Sequence, residues 1–180
     1  MDWVLRRIVK VVAKVPIKGN CIITTFVRKI DIIRNTKTVL IEFKVLKFIF
    51  SSSCSSYGAN ENVVDEKSEL SPLTAYAKSK VLAEKELLKL KDEDFSPVNL
   101  RSATAYGLSP NLRLDLVVNN LTCSAVTTGL VKLLSDGTAS RPLVHVEDMA
   151  RAFIQVLKSS EEKINGQVFN VGSNENNFIR

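Results

Sequence analysis

The most constraining feature of this sequence is an apolar strand pattern that runs directly into serines and is followed by a long amphipathic pattern. Residues 45–52, VLKFIFSS, are apolar, aromatic and β-branched, as is typical of a buried strand. Residues 71–91 open on Ser-Pro and then place apolar residues at helical spacing between Lys and Glu, which predicts a helix. A buried strand followed by a helix is the unit from which parallel sheets are built.

The rest of the chain repeats this alternation. Gly129 ends one apolar helical pattern, and Gly172 follows the last strand pattern. The predicted strands cover residues 97–102 and 167–171, the predicted helices cover residues 115–128 and 147–158, and short apolar runs at 131–134 and 142–146 are separated by a turn at 135–138. We therefore predict an α/β fold with a mainly parallel sheet covered on both faces.

Charge divides the chain into two parts. Residues 1–50 hold 11 Lys/Arg and 3 Asp/Glu, whereas residues 51–180 hold 14 and 16. Gly19 is the only glycine of the first part, and the other six follow Tyr57. We therefore treat residues 1–45 as an atypical basic N-terminal segment and residues 46–180 as a separate unit.

The basic segment permits several interpretations. A helix over residues 3–15, ended by Pro16 and Gly19, fits its pattern. Clustered Lys and Arg would suit nucleic acid or an anionic membrane surface, and sparse acidic residues would suit a targeting peptide. No aromatic interleaving or nucleic-acid motif accompanies the charge, so we favour a degenerate or wrongly joined segment that folds only partly. Neither nucleic acid nor a membrane is an expected partner.

Cysteine usage and hydropathy indicate the cellular compartment of the protein. The three cysteines, Cys21, Cys54 and Cys123, are an odd number spaced far apart, and the chain has one histidine, so neither a disulfide framework nor a metal site is predicted. No apolar run reaches the roughly 18 residues of a membrane-spanning helix. Charges interrupt the N-terminal apolar runs and no secretory cleavage pattern follows them. The sequence predicts a cytoplasmic protein.

The candidate catalytic residues are Tyr76 and Lys80, which stand four positions apart on the predicted helix of residues 71–91. That spacing puts phenol and ammonium on one helix face, where the cation favours the phenolate and lets the phenol act as acid and base. Ser53, at the carboxyl end of the preceding strand, is placed to hydrogen-bond a ligand hydroxyl. Taken alone, such a Tyr-Lys pair is usually a half-buried aromatic beside a solvated lysine, but the serines and the Ser-Pro start make the combination more specific.

These motifs resemble the NAD-dependent epimerase/dehydratase family, the extended branch of the short-chain dehydrogenases/reductases. The matching stretches are FIFSSSCSSYG, SPLTAYAKSKVLAEKEL, VNLRSATAYGLSP, DLVVNNLTCSA, SDGTASRPLVHVEDMARAF and QVFNVGSNENN. The resemblance runs from about residue 48 to residue 180, or about three quarters of the chain. It implies a Rossmann-like, doubly wound parallel sheet, with residues 46–180 forming the catalytic half of the domain, and NAD as the cofactor.

The resemblance also implies roles for individual residues. Tyr76 would be the catalytic acid/base, Lys80 would favour its ionised form and bind the nicotinamide ribose, and Ser53 would hold the substrate hydroxyl. The implied cofactor-binding residues are Ser51, Ser52, Tyr76, Lys80 and Ala103. The implied substrate-binding residues are Ser53, Thr104, Asn120 and Arg141, with Thr104 beside the nicotinamide and the last two near the diphosphate of a nucleotide sugar. Arg141 and Asn120 remain compatible with ordinary surface roles, and His145 is expected to be structural.

Two departures from the family pattern shape the functional expectation. Dehydrating members carry an Asp-Glu pair after the active-site Ser or Thr, where this chain has Cys54 and Ser55, so epimerisation fits better than dehydration. The Gly-rich turn that approaches the NAD pyrophosphate is absent from the sequence. We therefore expect a fragment, truncated at both ends, of a nucleotide-sugar epimerase with impaired activity. The alternative is a non-catalytic sugar-nucleotide-binding or interaction module with a basic arm. The resemblance further suggests a homodimer.

Overall fold

A computed structural model describes residues 21–24 (backbone only), 46–60, 62–133, 136 and 140–173 of the chain. Its strands are β1 (Cys21–Thr24), β2 (Lys47–Ser53), β3 (Ser96–Ser102), β4 (Thr104–Tyr106), β5 (Leu143–His145) and β6 (Val168–Val171). Its α-helices are α1 (Ala75–Lys89), α2 (Val117–Thr128), α3 (Val146–Lys158) and α4 (Glu161–Ile164), and a short 3₁₀ helix covers Cys54–Tyr57. The predicted α/β class is confirmed.

The strands form two sheets within the described residues. The larger has the order β1-β2-β3-β6, and β1 runs parallel to β2 with Cys21 opposite Lys47 and Thr24 opposite Phe50. The smaller joins β4 to β5, again in parallel, with Thr104 opposite Leu143. A parallel neighbour requires a crossover connection, and α2 lies on the connection between β4 and β5.

The core lies between β2 and α1. Phe48 and Phe50 are buried on β2, and Ala83 and Leu87 pack against them from α1. Phe95, directly before β3, completes the cluster. The rings of Phe48 and Phe95 lie 5.7 Å apart between centroids. β3 is buried at all seven positions, as expected of a strand covered on both faces. This core fixes the position of α1 beside the carboxyl end of β2.

The helix α1 begins later than its sequence pattern predicted. The Ser-Pro pair at 71–72 precedes the helix, and Thr74 is the N-cap, with an extended backbone and a hydroxyl that accepts a hydrogen bond from the Ala77 N–H at 3.1 Å. A threonine hydroxyl satisfies an otherwise unpaired N–H of the first turn, so the helix starts where that cap is available. The prediction of a start at residue 71 was wrong by four residues.

The buried face of α1 does not follow the apolar pattern of the sequence. Leu73 and Leu82 belong to the apolar residues of the predicted helix, but they are 65% and 50% exposed. Lys80 and Glu84 belong to the charged residues between the apolar ones, yet they are 6% and 2% exposed. Buried charges are tolerated where they are paired and hydrogen-bonded, and both of these side chains have such partners.

The remaining predictions fall into three groups. The strands at 97–102 and 167–171 and the helices at 115–128 and 147–158 are confirmed within two residues at each end, and the apolar run at 142–146 contains β5. The structure adds β1, β4, α4 and the 3₁₀ helix, which the sequence analysis did not predict. The helix expected over 3–15, and all of the turn at 135–138 except Asp136, lie outside the described residues.

The chain divides into two compact units. The first comprises Met1–Arg101 and Phe153–Asn170, and the second comprises Ser102–Ala152 and Val171–Arg180. In the first unit the Lys47 ammonium donates to the carbonyls of Leu157 and Ser159 at 3.1 and 2.6 Å, which ties the start of β2 to the C-terminal end of α3. Among the described residues, no helix has the length and apolar character needed to cross a membrane. The proposed boundary at residue 45 remains a prediction.

Candidate active site

The three serines at the end of β2 point to alternate faces of the strand, as a period of two requires. Ser51 and Ser53 are partly buried, whereas Ser52 is only 4% exposed. The Ser53 hydroxyl accepts hydrogen bonds from the N–H and the hydroxyl of Ser55, at 3.2 and 2.9 Å, and so caps the 3₁₀ helix. The sharp turn after β2 therefore keeps Ser53 at the carboxyl end of a buried strand.

Tyr76 and Lys80 lie one turn apart on α1, beside this strand end. The Lys80 Nζ donates to the Ser51 carbonyl at 2.6 Å and lies 5.5 Å from the centroid of the Tyr76 ring. It also lies 4.7 Å from the centroid of the Phe50 ring. Tyr76 itself is 52% exposed. The structure thus brings together a solvent-accessible phenol, a buried ammonium and the serine strand, as the spacing in the sequence predicted.

The ammonium of Lys80 is held in conditions that weaken its hold on a proton. Burial lowers the pKa of Lys80 from 10.5 to about 8, and the nearby Glu84 carboxylate opposes that change. Removing an ammonium from water disfavours its charged form, and an adjacent anion restores part of the loss. Lys80 is therefore charged at neutral pH and titrates only slightly above it.

Behind Lys80 lies a charge pair that the sequence analysis did not identify. The Glu84 carboxylate accepts from Arg101 Nε at 3.1 Å to each oxygen and from Nη2 at 2.7 Å, and both side chains are buried. The Ser52 hydroxyl donates to the same carboxylate. Two signals in the sequence point to the pair: Glu84 stands four residues after Lys80, and Arg101 interrupts an otherwise uncharged strand.

Arg101 is anchored further by the loop that follows β2. Its Nη1 donates to the Tyr57 hydroxyl at 2.9 Å and to the Glu66 carbonyl at 3.3 Å. The Tyr57 hydroxyl in turn donates to the Asn170 side chain at 2.7 Å, and the Asn170 N–H donates to the Glu66 carboxylate at 2.7 Å. These contacts hold the guanidinium in one orientation toward Glu84. These hydrogen bonds connect the segment that follows β2 to β3 and β6, beside the apolar core.

The other predicted site residues belong to the second unit. Ala103 is 9% exposed and its N–H donates to the Val171 carbonyl at 2.8 Å, while the Thr104 N–H donates to the Pro142 carbonyl at 2.9 Å. Asn120 is exposed on α2, and its amide donates to the Leu114 carbonyl at 3.0 Å. Arg141 is exposed, directly before the residue that accepts from Thr104. Their ligand-binding roles remain predictions.

His145, expected to be structural, also lies in the second unit. Its ring makes an edge contact with Tyr106, at 5.3 Å between centroids, and its Nδ1 accepts from the Glu147 N–H at 3.4 Å. Gly107 has a φ of +109°, and a Cβ placed there would come within 2.4 Å of His145 Nε2. The imidazole is thus packed against a backbone position that requires glycine.

The first unit presents donors suited to one end of a dinucleotide. A phenol hydroxyl and an ammonium on one helix face match the two hydroxyls of a ribose, because both groups are hydrogen-bond donors. The Ser52 hydroxyl, by contrast, is committed to Glu84 inside the core. Tyr76 and Lys80 could hold a ribose of NAD, and their assignment to the cofactor, like that of Ser51 and Ser52, stays a prediction.

The chain matches a known protein family over most of its length. A family model described as "NAD dependent epimerase/dehydratase family" matches residues 18–172. The match includes the whole candidate site and extends upstream of β1. The members of this family are NAD-dependent enzymes.

The chain matches only part of the length of each relative. The chain is 30% identical over 135 residues to the "Uncharacterized UDP-glucose epimerase YtcB" of Bacillus subtilis (strain 168), which spans 74% of this chain and 42% of that protein. It is 30% identical over 142 residues to the dTDP-D-glucose 4,6-dehydratase of Bos taurus, spanning 74% of this chain and 37% of that protein.

A solved structure shows the same partial coverage. The UDP-glucuronic acid 4-epimerase of Bacillus cereus, in complex with UDP-glucuronic acid and NAD, superposes with a TM-score of 0.69 at 27% identity. The superposition covers 80% of this chain and 45% of that one. The chain therefore spans less than half the length of the relatives described above, and the predicted Rossmann-like fold is confirmed.

Proposed function

From the premise that this chain belongs to the NAD dependent epimerase/dehydratase family, we propose that it is the catalytic half of a nucleotide-sugar epimerase. The observation that carries the proposal is the position of the Lys80 ammonium, bound to the Ser51 carbonyl at 2.6 Å and 5.5 Å from the centroid of the Tyr76 ring. A phenol that transfers protons in a reaction needs a cation beside it, and Lys80 is that cation for Tyr76. The relatives supply the substrate class, since their names are those of UDP-sugar epimerases and a dTDP-sugar dehydratase.

The proposed chemistry assigns one task to each residue. Tyr76 removes the proton of a sugar hydroxyl and later returns it, and Lys80 supplies the nearby positive charge and holds the nicotinamide ribose. Ser53 hydrogen-bonds the same sugar hydroxyl and orients it toward Tyr76. NAD, when bound, supplies the hydride acceptor for the sugar carbon, and the protein contributes positioning and proton transfer.

Apart from Ser53, the residues that the family resemblance proposes for substrate binding lie in the second unit. Arg141 is an exposed guanidinium that would pair with the diphosphate, because its planar fork gives two parallel hydrogen bonds to a phosphate group. Asn120 is proposed to lie near the same diphosphate, and Ala103 and Thr104 beside the nicotinamide. Cys54 and Ser55 stand where dehydrating relatives carry an acidic pair, which favours epimerisation over elimination.

We further propose that this chain by itself binds NAD weakly. Its seven glycines nowhere form the Gly-rich turn that lets backbone N–H groups approach a pyrophosphate. A homodimer and a cytoplasmic location belong to the same proposal, the first from the family resemblance and the second from the cysteine usage.

Titration with NAD, followed by amide signals in NMR spectra of the 20.0 kDa chain, tests the site directly. We expect NAD to shift the signals of residues 51–53 and 76–80 in a saturable way. Replacing Lys80 with Met should weaken binding by roughly tenfold or more, since a charged hydrogen bond contributes about 1.5–3 kcal/mol. Lys78→Met, two positions away on the exposed face of α1, should leave the affinity unchanged.

The same titration has an outcome that would refute the cofactor site. If a folded sample shows no shifts at residues 51–53 and 76–80 at millimolar NAD, or if Lys78→Met and Lys80→Met weaken binding equally, Tyr76 and Lys80 do not hold the nicotinamide ribose.

The second candidate is a non-catalytic module that binds the sugar nucleotide alone, and the missing Gly-rich turn is the observation that favours it. In that case UDP-glucose would shift the signals of Asn120, Arg141 and their neighbours, whereas NAD would shift none. Loss of the UDP-glucose response in Arg141→Gln would support this function. Tyr76-dependent reduction of NAD in the presence of the sugar nucleotide would exclude it.

A further inference from the structure

The buried carboxylate of Glu84 has no assigned role in the proposed chemistry, although four hydrogen-bond contacts converge on it. Arg101 donates three contacts to it and Ser52 donates a fourth. Glu84 and Arg101 are 2% and 5% exposed. Replacing a buried ion pair with apolar side chains of similar volume is often neutral or stabilising, so stability alone does not explain the presence of these charges.

Two connections lead from Glu84 to the candidate active site. The first runs along α1: Glu84 stands four residues after Lys80 on the same buried face, and side chains at that spacing have Cβ atoms about 5–6 Å apart. The second runs through β2, because Ser52, which donates to Glu84, is bonded to Ser51, whose carbonyl accepts from Lys80. One carboxylate therefore acts on both the charge of Lys80 and the strand whose carbonyl accepts its hydrogen bond.

We propose that Glu84 is a positioning residue that keeps the buried Lys80 ammonium charged and directed at the Ser51 carbonyl. The proposal depends on the proposed function only for the catalytic importance of Lys80. Burial of an ammonium favours its neutral form, and an anion one helical turn away offsets that preference. The groups that face Lys80 are Tyr76 and Glu84 from its own helix, and the Phe50 ring and the Ser51 carbonyl from β2.

Arg101 and Ser52 have the role of holding the Glu84 carboxylate in one orientation. Charge-assisted hydrogen bonds are short and strong, and the planar guanidinium fork fixes the geometry of the carboxylate that it meets. Arg101 is itself fixed by Tyr57 and by the Glu66 carbonyl. Burial opposes the charged state of Arg101, yet its hydrogen bonds to Glu84 and Tyr57 raise its pKa above the usual value. These contacts thus fix the Glu84 carboxylate one helical turn from Lys80.

The test is the titration of Lys80 itself, followed through its side-chain Cε signal in NMR spectra of the protein without NAD. The signal is assigned by its loss in Lys80→Met. We expect Glu84→Gln to lower the midpoint of the Lys80 titration by about one pH unit, because one adjacent opposite charge shifts a pKa by that order. Glu86→Gln removes a carboxylate from the same helix that is paired instead with Lys89, and it should leave the midpoint unchanged.

A second variant covers the case in which Glu84→Gln fails to fold because Arg101 is left buried without its partner. The double variant Glu84→Gln/Arg101→Met removes both charges, and Glu84 is the charged group that acts on Lys80. It should lower the midpoint in the same direction. A folded single or double variant whose Lys80 midpoint equals that of the wild type overturns the proposal. Because the titration requires neither NAD nor a sugar nucleotide, its result is independent of whether the chain catalyses epimerisation.

Discussion

Lys80 connects the chemistry of the site to the stability of the fold. Burial lowers the pKa of Lys80 to about 8 in the folded chain, against 10.5 as its ordinary value. Between these two pH values the unfolded chain binds a proton at Lys80 that the folded chain has released. The unfolding free energy contributed by this residue therefore rises as the pH increases from about 8 to 10.5.

Comparison of the wild type with Lys80→Met isolates that contribution. We expect the difference in unfolding free energy, wild type minus variant, to increase between pH 8 and pH 10.5 and to be flat below pH 7, as measured by urea denaturation at a series of pH values. Lys78→Met, on the exposed face of α1, provides the matched control and should show no such slope. A Lys80→Met difference that is constant across the whole range would contradict a depressed pKa.

At this scale the sequence predicts spacing better than environment. The pairing of Tyr76 with Lys80 follows from helical geometry alone, so it could be predicted without knowing what surrounds the helix. The burial of Glu84 could not, because a carboxylate enters a core only where a partner such as Arg101 arrives from another element. That partner is seventeen residues away in the chain, and its approach is fixed by packing.

The helix α1 shows how an element depends on a few buried positions. Leu87 is 1% exposed and packs in the cluster with Phe48, Phe50 and Phe95, whereas Leu82 is 50% exposed on the same helix. We expect Leu87→Ala to lower the unfolding free energy by about 2–5 kcal/mol, since it removes buried methyl groups and leaves a cavity. Leu82→Ala should cost about 1 kcal/mol or less.

These two substitutions change the same side chain in the same helix, so differences in helix propensity cancel. Chemical denaturation of both variants at one pH gives the comparison directly. Equal losses of stability would mean that α1 does not pack on β2 through Leu87.

Four elements of four residues or fewer were not predicted, namely β1, β4, α4 and the 3₁₀ helix, whereas β6, also of four residues, was. β1 and β4 gain their backbone hydrogen bonds from strands distant in sequence, β2 and β5, so little in the local sequence marks them. The 3₁₀ helix depends on one hydroxyl, that of Ser53. The start of α1 was misplaced because Ser-Pro and Thr74 are both acceptable helix openings, and the choice between them was made by the hydrogen bond to Ala77.

For the whole molecule, fold class was predictable because strands and helices alternate over more than a hundred residues. The parallel sheet follows from that alternation, and the strand β3, buried at every position, is its expected centre. The strand β1 was missed because it lies in the basic segment, whose charge suggested a separate character. Net charge is evidence about partners and solubility but not about fold, so that boundary had no support from packing.

The type of reaction is a property of the whole site, and it separates the two kinds of relative that the chain matches. Dehydration needs an acid and a base for elimination of water, and the chain has Cys54 and Ser55 at the positions expected to supply them. With saturating NAD and UDP-glucose or dTDP-glucose, we therefore expect a product of unchanged mass that separates from the substrate by chromatography, and none that is lighter by one water. Tyr76→Phe should abolish the new peak, because the phenol carries the proton in either reaction. A product lighter by one water, formed by the wild type and lost in Tyr76→Phe, would show that elimination proceeds without the acidic pair and would favour dehydration over the proposed epimerisation.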